Sequence, residues 1–220
     1  MSGIAALYDQ QSLVRYDSLN DFNRLISTHE LSHNLGVLHA NLISCTWVNR
    51  TSIKNSCMIM EYFDTSDFMG LGWNTFLNTN MHNRVLLGFY NESLFINAST
   101  KVTQNYTLKD TNQFNRTFVT DSLALTFYFS LIDLGATSGG LYTGPAKTNR
   151  YIIELWSDNG DCSVFVRIIL NKNINWEEQA FRIGNLTLGQ SYKDVINKVE
   201  FVFVEKHADC LTAKILVKLG

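Results

Sequence analysis

The stretch that most constrains this chain is HELSHNLGVLH, residues 29–39, which contains three of its five histidines. His29 and His33 are four residues apart. A helix therefore places their imidazoles about 40° apart around its axis and one turn apart along it. Apolar residues recur at three- and four-residue steps just upstream, as at Phe22 and Leu25, which predicts such a helix. Both rings can then reach a single metal ion.

The rest of the stretch supplies what a catalytic metal site needs. Gly36 is predicted to end the helix, because glycine adopts a positive φ at little cost, and the chain can then reverse and bring in His39. Three protein nitrogens leave a fourth coordination position open, which is typical of a catalytic zinc site. Glu30 lies on the adjacent face of the helix. We expect His29, His33 and His39 to bind Zn²⁺ and Glu30 to contact the water molecule at the open position.

This arrangement predicts metal-assisted hydrolysis. A zinc ion lowers the pKa of its bound water toward 7 and polarises a carbonyl group of the substrate. Glu30 is predicted to take the proton of that water as general base and to deliver it to the leaving group as general acid. The two remaining histidines, His82 and His207, are predicted to have no part in the chemistry.

The spacing H-E-x-x-H-x-x-G-x-x-H resembles the signature of the metzincin zinc metallopeptidases. The longer string STHELSHNLGVLHA is most similar to the gametolysin family, secreted peptidases that act on cell-wall glycoproteins, although Ser32 stands where that family more often has glycine. The later string EYFDTSDFMGLGWNTFLNTNMHNRVLLGF resembles the family's tyrosine, Asp-x-Met-Gly and final helix. The resemblance implies that Met69 is the Met-turn residue beneath the zinc and that residues 78–87 form the last helix of the catalytic domain.

Two other methionines compete with Met69 for the Met-turn assignment. Met58 and Met60 lie close by, but only Met69 has the Asp-x-Met-Gly context. Some metzincins have a tyrosine two residues after this methionine, where the present chain has Leu71. The sequence therefore gives no support for a tyrosine ligand at that position.

The pattern of the chain changes near residue 90. Runs of strand length that are rich in β-branched and aromatic residues follow, among them SLALTFYFSLIDL, RYIIELW, CSVFVRIIL, KVEFVFVE and AKILVKL. A short strand is also expected at Ile4 to Tyr8, ahead of the zinc helix. We predict an α+β protein: residues 1–90 are the C-terminal part of a metzincin-like catalytic domain, with zinc helix, Met-turn and final helix. Residues 91–220 are a mostly antiparallel β-sandwich domain, and their end is weakly similar to the β-modules of related secreted peptidases.

Cysteines and glycosylation sequons favour a secreted protein. The four cysteines contain no C-x-x-C pair and allow three disulfide pairings, of which Cys45–Cys57 with Cys162–Cys210 is the most local. Six N-x-S/T sequons, somewhat more than chance, begin at Asn49, Asn91, Asn97, Asn105, Asn115 and Asn185. The N-terminus does not resemble a signal peptide. We therefore expect one upstream of this chain.

Composition gives no indication of a nucleic-acid partner or of a membrane span, so the expected partners are proteins, peptides or glycans. The net charge of −2 gives no footprint for nucleic acid, and no apolar run approaches the roughly 20 residues that span a bilayer. We expect a protein or peptide substrate, such as an extracellular matrix or cell-wall glycoprotein. Nothing in the sequence indicates a particular oligomeric state.

Three interpretations of the function remain open at this stage. Only about 20 residues precede the zinc helix, so the chain is expected to be either a fragment of a longer peptidase, which we favour, or a truncated form that no longer cleaves. A truncated form would leave residues 91–220 to bind carbohydrate or protein, with Tyr142, Trp156 and Trp176 as candidates for stacking on sugars. A cytosolic metal-binding protein with reduced cysteines is the third possibility.

Overall fold

Most of the chain forms β-strands, because its apolar runs combine β-branched and aromatic side chains that pack well on a pleated surface. The structure is a computed structural model. It describes residues 3–5, 12–14, 21–45, 57–71, 79–111, 123–129, 149–158, 161–172, 177–195 and 197–220. These residues contain thirteen strands, two α-helices and one short 3-10 helix. The predicted α+β class is confirmed.

The elements have the following bounds. The helices are α1 (Asp21–Asn34) and α2 (Met81–Leu86), and the 3-10 helix is Glu92–Leu94. The strands are β1 (Gly3–Ala5), β2 (Ser12–Val14), β3 (Asn41–Cys45), β4 (Cys57–Met60), β5 (Phe95–Asn97), β6 (Gln104–Lys109), β7 (Ala124–Tyr128), β8 (Arg150–Asp158), β9 (Asp161–Lys172), β10 (Glu177–Leu186), β11 (Ser191–Asp194), β12 (Val199–Lys206) and β13 (Thr212–Leu219).

The strands form three sheets. Strands β1 and β2 pair antiparallel. A seven-stranded mixed sheet has the order β4-β3-β10-β9-β8-β7-β5, and a four-stranded antiparallel sheet has the order β11-β12-β13-β6. The larger sheet joins early and late parts of the chain, because β3 pairs in parallel with β10. The division into two domains at residue 90 stays a prediction, and any such division crosses this sheet.

One apolar core lies between the two larger sheets. Successive side chains of a strand point to opposite faces, so β8 turns Tyr151, Ile153 and Leu155 toward this core. Strands of the four-stranded sheet contribute the facing side chains, such as Phe201 and Ile215, which are completely buried. The sheets therefore pack face to face.

The opposite face of the seven-stranded sheet is also buried. There Met81 of α2 packs with Ile152 of β8 and Ile169 of β9 in a second apolar cluster. The same face carries two buried charged side chains, Glu154 and Arg167, which have no exposed surface. Charges this deep are stable only with close partners, and the partners come from the region of the histidines.

The sequence predicted the positions of the core strands more accurately than the residues at which elements begin and end. The five predicted runs overlap β7, β8, β9, β12 and β13. The expected strand at Ile4 to Tyr8 is β1, Gly3–Ala5, and the rest of that prediction lies outside the described residues. The last helix of the first region spans Met81–Leu86 rather than residues 78–87. It begins at residue 81 because the Asn80 side chain caps it by accepting from the backbone N–H of Asn83.

A disulfide joins Cys162 of β9 to Cys210, which lies between β12 and β13, as the most local pairing predicted. It therefore links the two sheets of the core. The other expected pair falls on neighbouring antiparallel strands, where Cys45 of β3 is the direct partner of Cys57 of β4. Direct cross-strand partners have Cβ atoms about 4.5–5.5 Å apart. Their side chains are not described, so this second disulfide stays a prediction.

Four of the six sequon asparagines lie in the described residues, and the side chains of all four are exposed: Asn91, Asn97, Asn105 and Asn185. The sequons at Asn49 and Asn115 lie outside the part of the chain that the structure describes. No helix in the described ranges is long and apolar enough to cross a membrane.

The disulfide yields a stability prediction. Cys162 and Cys210 are 48 residues apart in sequence, and closing a loop of that length restricts the unfolded chain. Replacing both cysteines by serine should lower the free energy of unfolding by about 2–4 kcal/mol. Urea unfolding followed by tryptophan fluorescence measures this difference. An unchanged midpoint and slope would show that the link does not constrain the unfolded chain.

Candidate metal centre

Helix α1 ends in a turn that brings a third histidine back to the helix. Gly36 has a φ of 88°, in the left-handed region that glycine tolerates. The N–H of Val37 donates to the carbonyl of Ser32 at 3.0 Å, and that of Gly36 donates to His33 at 2.9 Å. These two bonds form a Schellman motif, which ends the helix and reverses the chain. Three residues later the chain reaches His39.

The three histidine side chains converge through the same ring atom. Nε2 of His33 lies 3.2 Å from Nε2 of His29 and 3.0 Å from Nε2 of His39. One ligand atom of each ring lies within 4.8 Å of the other two. The structure thus brings together the three residues that the sequence predicted as ligands.

The other ring nitrogen of each histidine is occupied. Nδ1 of His29 lies 3.0 Å from the carbonyl oxygen of Phe68, and Nδ1 of His33 lies 2.7 Å from that of Val37. Nδ1 of His39 lies 2.8 Å from a carboxylate oxygen of Glu61. Carbonyl and carboxylate oxygens accept hydrogen bonds, so each Nδ1 carries the hydrogen. In a neutral ring, this leaves Nε2 with a free lone pair.

Burial keeps these rings neutral near pH 7. It lowers the pKa of His29 and of His33, although the bonds to Phe68 and Val37 partly oppose it. Burial also lowers the pKa of His39 to about 4, against the opposing effect of Glu61. Three neutral imidazoles with protonated Nδ1 atoms therefore point their Nε2 lone pairs at one another.

Such an arrangement fits a small cation. Nitrogens with lone pairs 3.0–3.2 Å apart repel each other unless a positive centre lies between them. Zinc bound tetrahedrally at about 2.0–2.1 Å places neighbouring ligand nitrogens about 3.3 Å apart. Histidines that bind metal usually donate their other N–H to a carbonyl or carboxylate, as all three do here. The residues present therefore fit a zinc ion with three nitrogen ligands.

Glu30 follows the first of these histidines and is 8% exposed. It is about 100° around the helix axis from His29, so its carboxylate does not share the direction of the ligand pair. Burial raises the pKa of Glu30, while the neighbouring His33 opposes that rise. A raised pKa makes a carboxylate a stronger base, as general base catalysis near neutral pH requires.

Residues 61–71, called here the Met69 loop, run beside the three histidines. Met69 has no exposed surface and packs with Leu25, Val37 and Ala40. Its carbonyl accepts from the N–H of Ala40, the residue after His39, at 3.0 Å. The assignment of Met69 as the Met-turn residue stays a prediction. Of the two rival methionines, Met58 is 60% exposed and Met60 is partly buried.

Close packing of backbone fixes the shape of the Met69 loop. A Cβ atom on Gly70 would lie 2.3 Å from the carbonyl oxygen of Asp64 and 2.8 Å from that of Tyr62. Only glycine fits there. The Asp67 carboxylate accepts from the N–H of Met69 and from that of Asn80, both at 2.8 Å, which ties the loop to the start of α2. Burial raises the pKa of Asp67, while these hydrogen bonds oppose the rise.

Two residues of this centre were not predicted from the sequence. Glu61 holds the Nδ1 of His39, and the ring of Tyr62 lies 3.8 Å from the ring of His39, measured between centroids. Tyr62 has a φ of 64°, and its N–H donates to the side-chain oxygen of Asn41 at 3.0 Å. The only signal in the sequence is that both precede the Asp-x-Met-Gly string.

The two remaining histidines lie apart from the metal cluster. His82 is buried on α2, with Nδ1 3.5 Å from a guanidinium nitrogen of Arg150 and 3.6 Å from a carboxylate oxygen of Glu178. Burial, together with Arg150, lowers the pKa of His82 to about 3. His207 is exposed and lies 2.6 Å from a carboxylate oxygen of Asp209.

The candidate sugar-stacking residues receive little support from the structure. Trp156 is 4% exposed and packs edge to face on Phe165 with the ring centroids 5.3 Å apart. It is therefore a packing residue and does not offer a face to a sugar. Tyr142 and Trp176 lie outside the ranges that the structure describes.

A cavity of about 490 Å³ lies beside α1. Leu31 of the helix and Leu35, which follows its end, line it together with Leu87 and Phe89. Leu31 is two residues from His29 and two from His33, so it points about 160° away from both around the helix axis. The cavity therefore lies on the side of the helix away from the three histidines.

Comparison of this chain with protein-family models, with curated proteins and with solved structures finds no match. The resemblance to metzincins therefore depends only on the sequence motifs around the three histidines and Met69.

The contact between Glu61 and His39 yields a prediction about metal affinity. Replacing Glu61 by alanine removes the acceptor that orients the ring of His39, which should weaken zinc binding about 10–100-fold. Competition with a chromophoric chelator measures the affinity. Glu205→Ala is the matched control, because Glu205 is an exposed glutamate paired with Lys214 far along the chain. Equal affinities for the two variants would contradict a role of Glu61 at the site.

Proposed function

We propose that this protein is a zinc-dependent endopeptidase of the metzincin type, most similar to gametolysins. The observation that supports it best is the convergence of three neutral histidines on their Nε2 atoms, each with Nδ1 bound to an acceptor. A buried carboxylate with a raised pKa, Glu30, follows the first ligand directly. Together they are the side chains that metal-assisted hydrolysis of an amide requires.

The residues divide the work as follows. When bound, zinc supplies a Lewis acid that polarises the scissile carbonyl and acidifies water. His29, His33 and His39 would hold the ion through their Nε2 atoms. Glu30 accepts a proton from the attacking water and passes it to the departing amine nitrogen, which makes the amine a better leaving group.

The substrate class follows from the expected location. We propose a secreted enzyme that cleaves extracellular matrix or cell-wall glycoproteins. The disulfide between Cys162 and Cys210 supports an oxidising compartment. The four exposed sequon asparagines support it further, because the glycosylation machinery needs accessible side chains.

Replacing Glu30 by glutamine tests the proposal most directly. Glutamine has a similar shape but cannot accept the proton, so the rate of peptide cleavage should fall at least about 10²-fold. Zinc content should stay at one ion per chain, because Glu30 is not among the three ligands. Elemental analysis and cleavage of a quenched fluorescent peptide measure the two quantities.

Two controls complete the experiment. His33→Ala should lose both zinc and cleavage, and Glu200→Gln, a change on strand β12 of the four-stranded sheet, should alter neither. A zinc-loaded Glu30→Gln protein that still cleaves would overturn the role of Glu30. A zinc-free wild-type protein that binds glycans would favour the alternative, an inactive homologue that acts as a binding module.

A further inference from the structure

Arg167 of β9 is a charged side chain inside the seven-stranded sheet's buried region. Its neighbours Val166 and Ile168 point into the core between the sheets, so Arg167 points to the opposite face. It has no exposed surface. Its guanidinium pairs with the carboxylates of Glu154 and Asp64 through two different nitrogens.

Arg167 contacts two residues of the Met69 loop, Asp64 and Ser66. Its third nitrogen donates to the hydroxyl of Ser66 at 2.9 Å. Asp64 in turn accepts from the Ser66 hydroxyl at 2.5 Å and from the Ser66 N–H at 3.0 Å. The planar guanidinium can reach several acceptors at fixed angles, which makes it suited to holding a short turn in one shape.

The same loop supplies acceptors to two of the three histidines. Glu61 binds the Nδ1 of His39, and the carbonyl of Phe68 binds the Nδ1 of His29. His33 differs, because its Nδ1 is bound by Val37, which lies outside the loop. A disturbance of the loop should therefore affect two ligands and spare the third.

We propose that Arg167 is a positioning residue for the metal centre: from the seven-stranded sheet it fixes the Met69 loop that orients His29 and His39. The proposal deepens the proposed function and rests on the same three ligands. Strand β9, which lies late in the chain, therefore helps to hold the site in place. Residues 64 and 167 are 103 positions apart in sequence, so the loop is held by a contact from a distant part of the chain.

Arg150 provides a matched control. Arg150 lies on β8, on the same face of the seven-stranded sheet as Ile152, two residues later. It is 6% exposed. Its ion pairs go to Glu92 and Glu178 instead of the Met69 loop. Arg150→Met should therefore destabilise the fold without altering the metal centre.

The test compares Arg167→Lys and Ser66→Ala with Arg150→Met and wild type. Lysine keeps the charge but lacks the planar fork that reaches three separate partners. Ser66→Ala removes the two hydrogen bonds of the Ser66 hydroxyl, from Arg167 and to Asp64, without leaving an unpaired charge. Both should lower zinc affinity, Arg167→Lys by about tenfold or more. Both should also change the visible spectrum of the Co²⁺-substituted protein, which reports ligand geometry. Arg150→Met should change neither.

A metal-independent measurement separates this proposal from the proposed function. In NMR spectra of the metal-free protein, the Nδ1–H signals of His29 and His39 should exchange faster with solvent in both loop variants. The signal of His33 should keep its wild-type rate. This readout decides the proposal even if the wild-type protein neither binds zinc nor cleaves peptides.

The results that overturn the proposal are equally specific. Folded Arg167→Lys and Ser66→Ala proteins with wild-type zinc affinity, Co²⁺ spectrum and exchange rates would show that Arg167 only stabilises the fold. Equal effects from Arg150→Met, or equal acceleration at all three histidines, would show the same. If Arg167→Lys fails to fold, Ser66→Ala decides on the same measurements.

Discussion

The buried guanidinium of Arg167 pairs with two carboxylates, Asp64 and Glu154, and so connects separate elements of this protein. Burying charges costs more free energy than their attraction returns unless the remaining hydrogen-bonding groups are also satisfied. Around Arg167 these groups are satisfied. The Ser66 hydroxyl accepts a hydrogen bond from Arg167, and Glu154 also accepts from the backbone N–H of Met81 at 2.9 Å. Strand β9, helix α2 and the Met69 loop thus meet at Arg167. Removing Arg167 would take from Glu154 its ion-pair partner, while Asp64 would keep Arg182 at 3.5 Å.

The candidate metal centre depends on the contacts of Arg167. The sheet holds the Met69 loop, the loop holds two Nδ1 atoms, and each bound Nδ1 leaves its Nε2 lone pair facing the other rings. Burial keeps the rings neutral, which suits them to bind a cation. The Schellman turn at Gly36 supplies the only sharp reversal that the ligand set needs. Function would thus depend on residues far from the ligands in sequence.

The sequence predicted the ligand cluster well because its determinants are local. A helix repeat relates His29 and His33, and one glycine turn relates both to His39. Strands with strong alternation or continuous apolar runs, such as β8 and β12, were predicted for the same reason. The parallel pairing of β3 with β10 was not, nor was the pair Arg167–Asp64, because no local pattern reports contacts across more than a hundred residues. Strand β6, with the polar sequence QNYTLK, gave too weak a pattern to be recognised.

X-ray absorption at the zinc edge tests whether the three Nε2 atoms form one zinc site. The purified protein should show three nitrogen neighbours with imidazole scattering at about 2.0–2.1 Å and one further light atom. Changing His33 to alanine should abolish that signal. Sulfur neighbours at about 2.3 Å, or zinc without imidazole scattering, would contradict the claim, because the ion would then be held by residues other than these histidines.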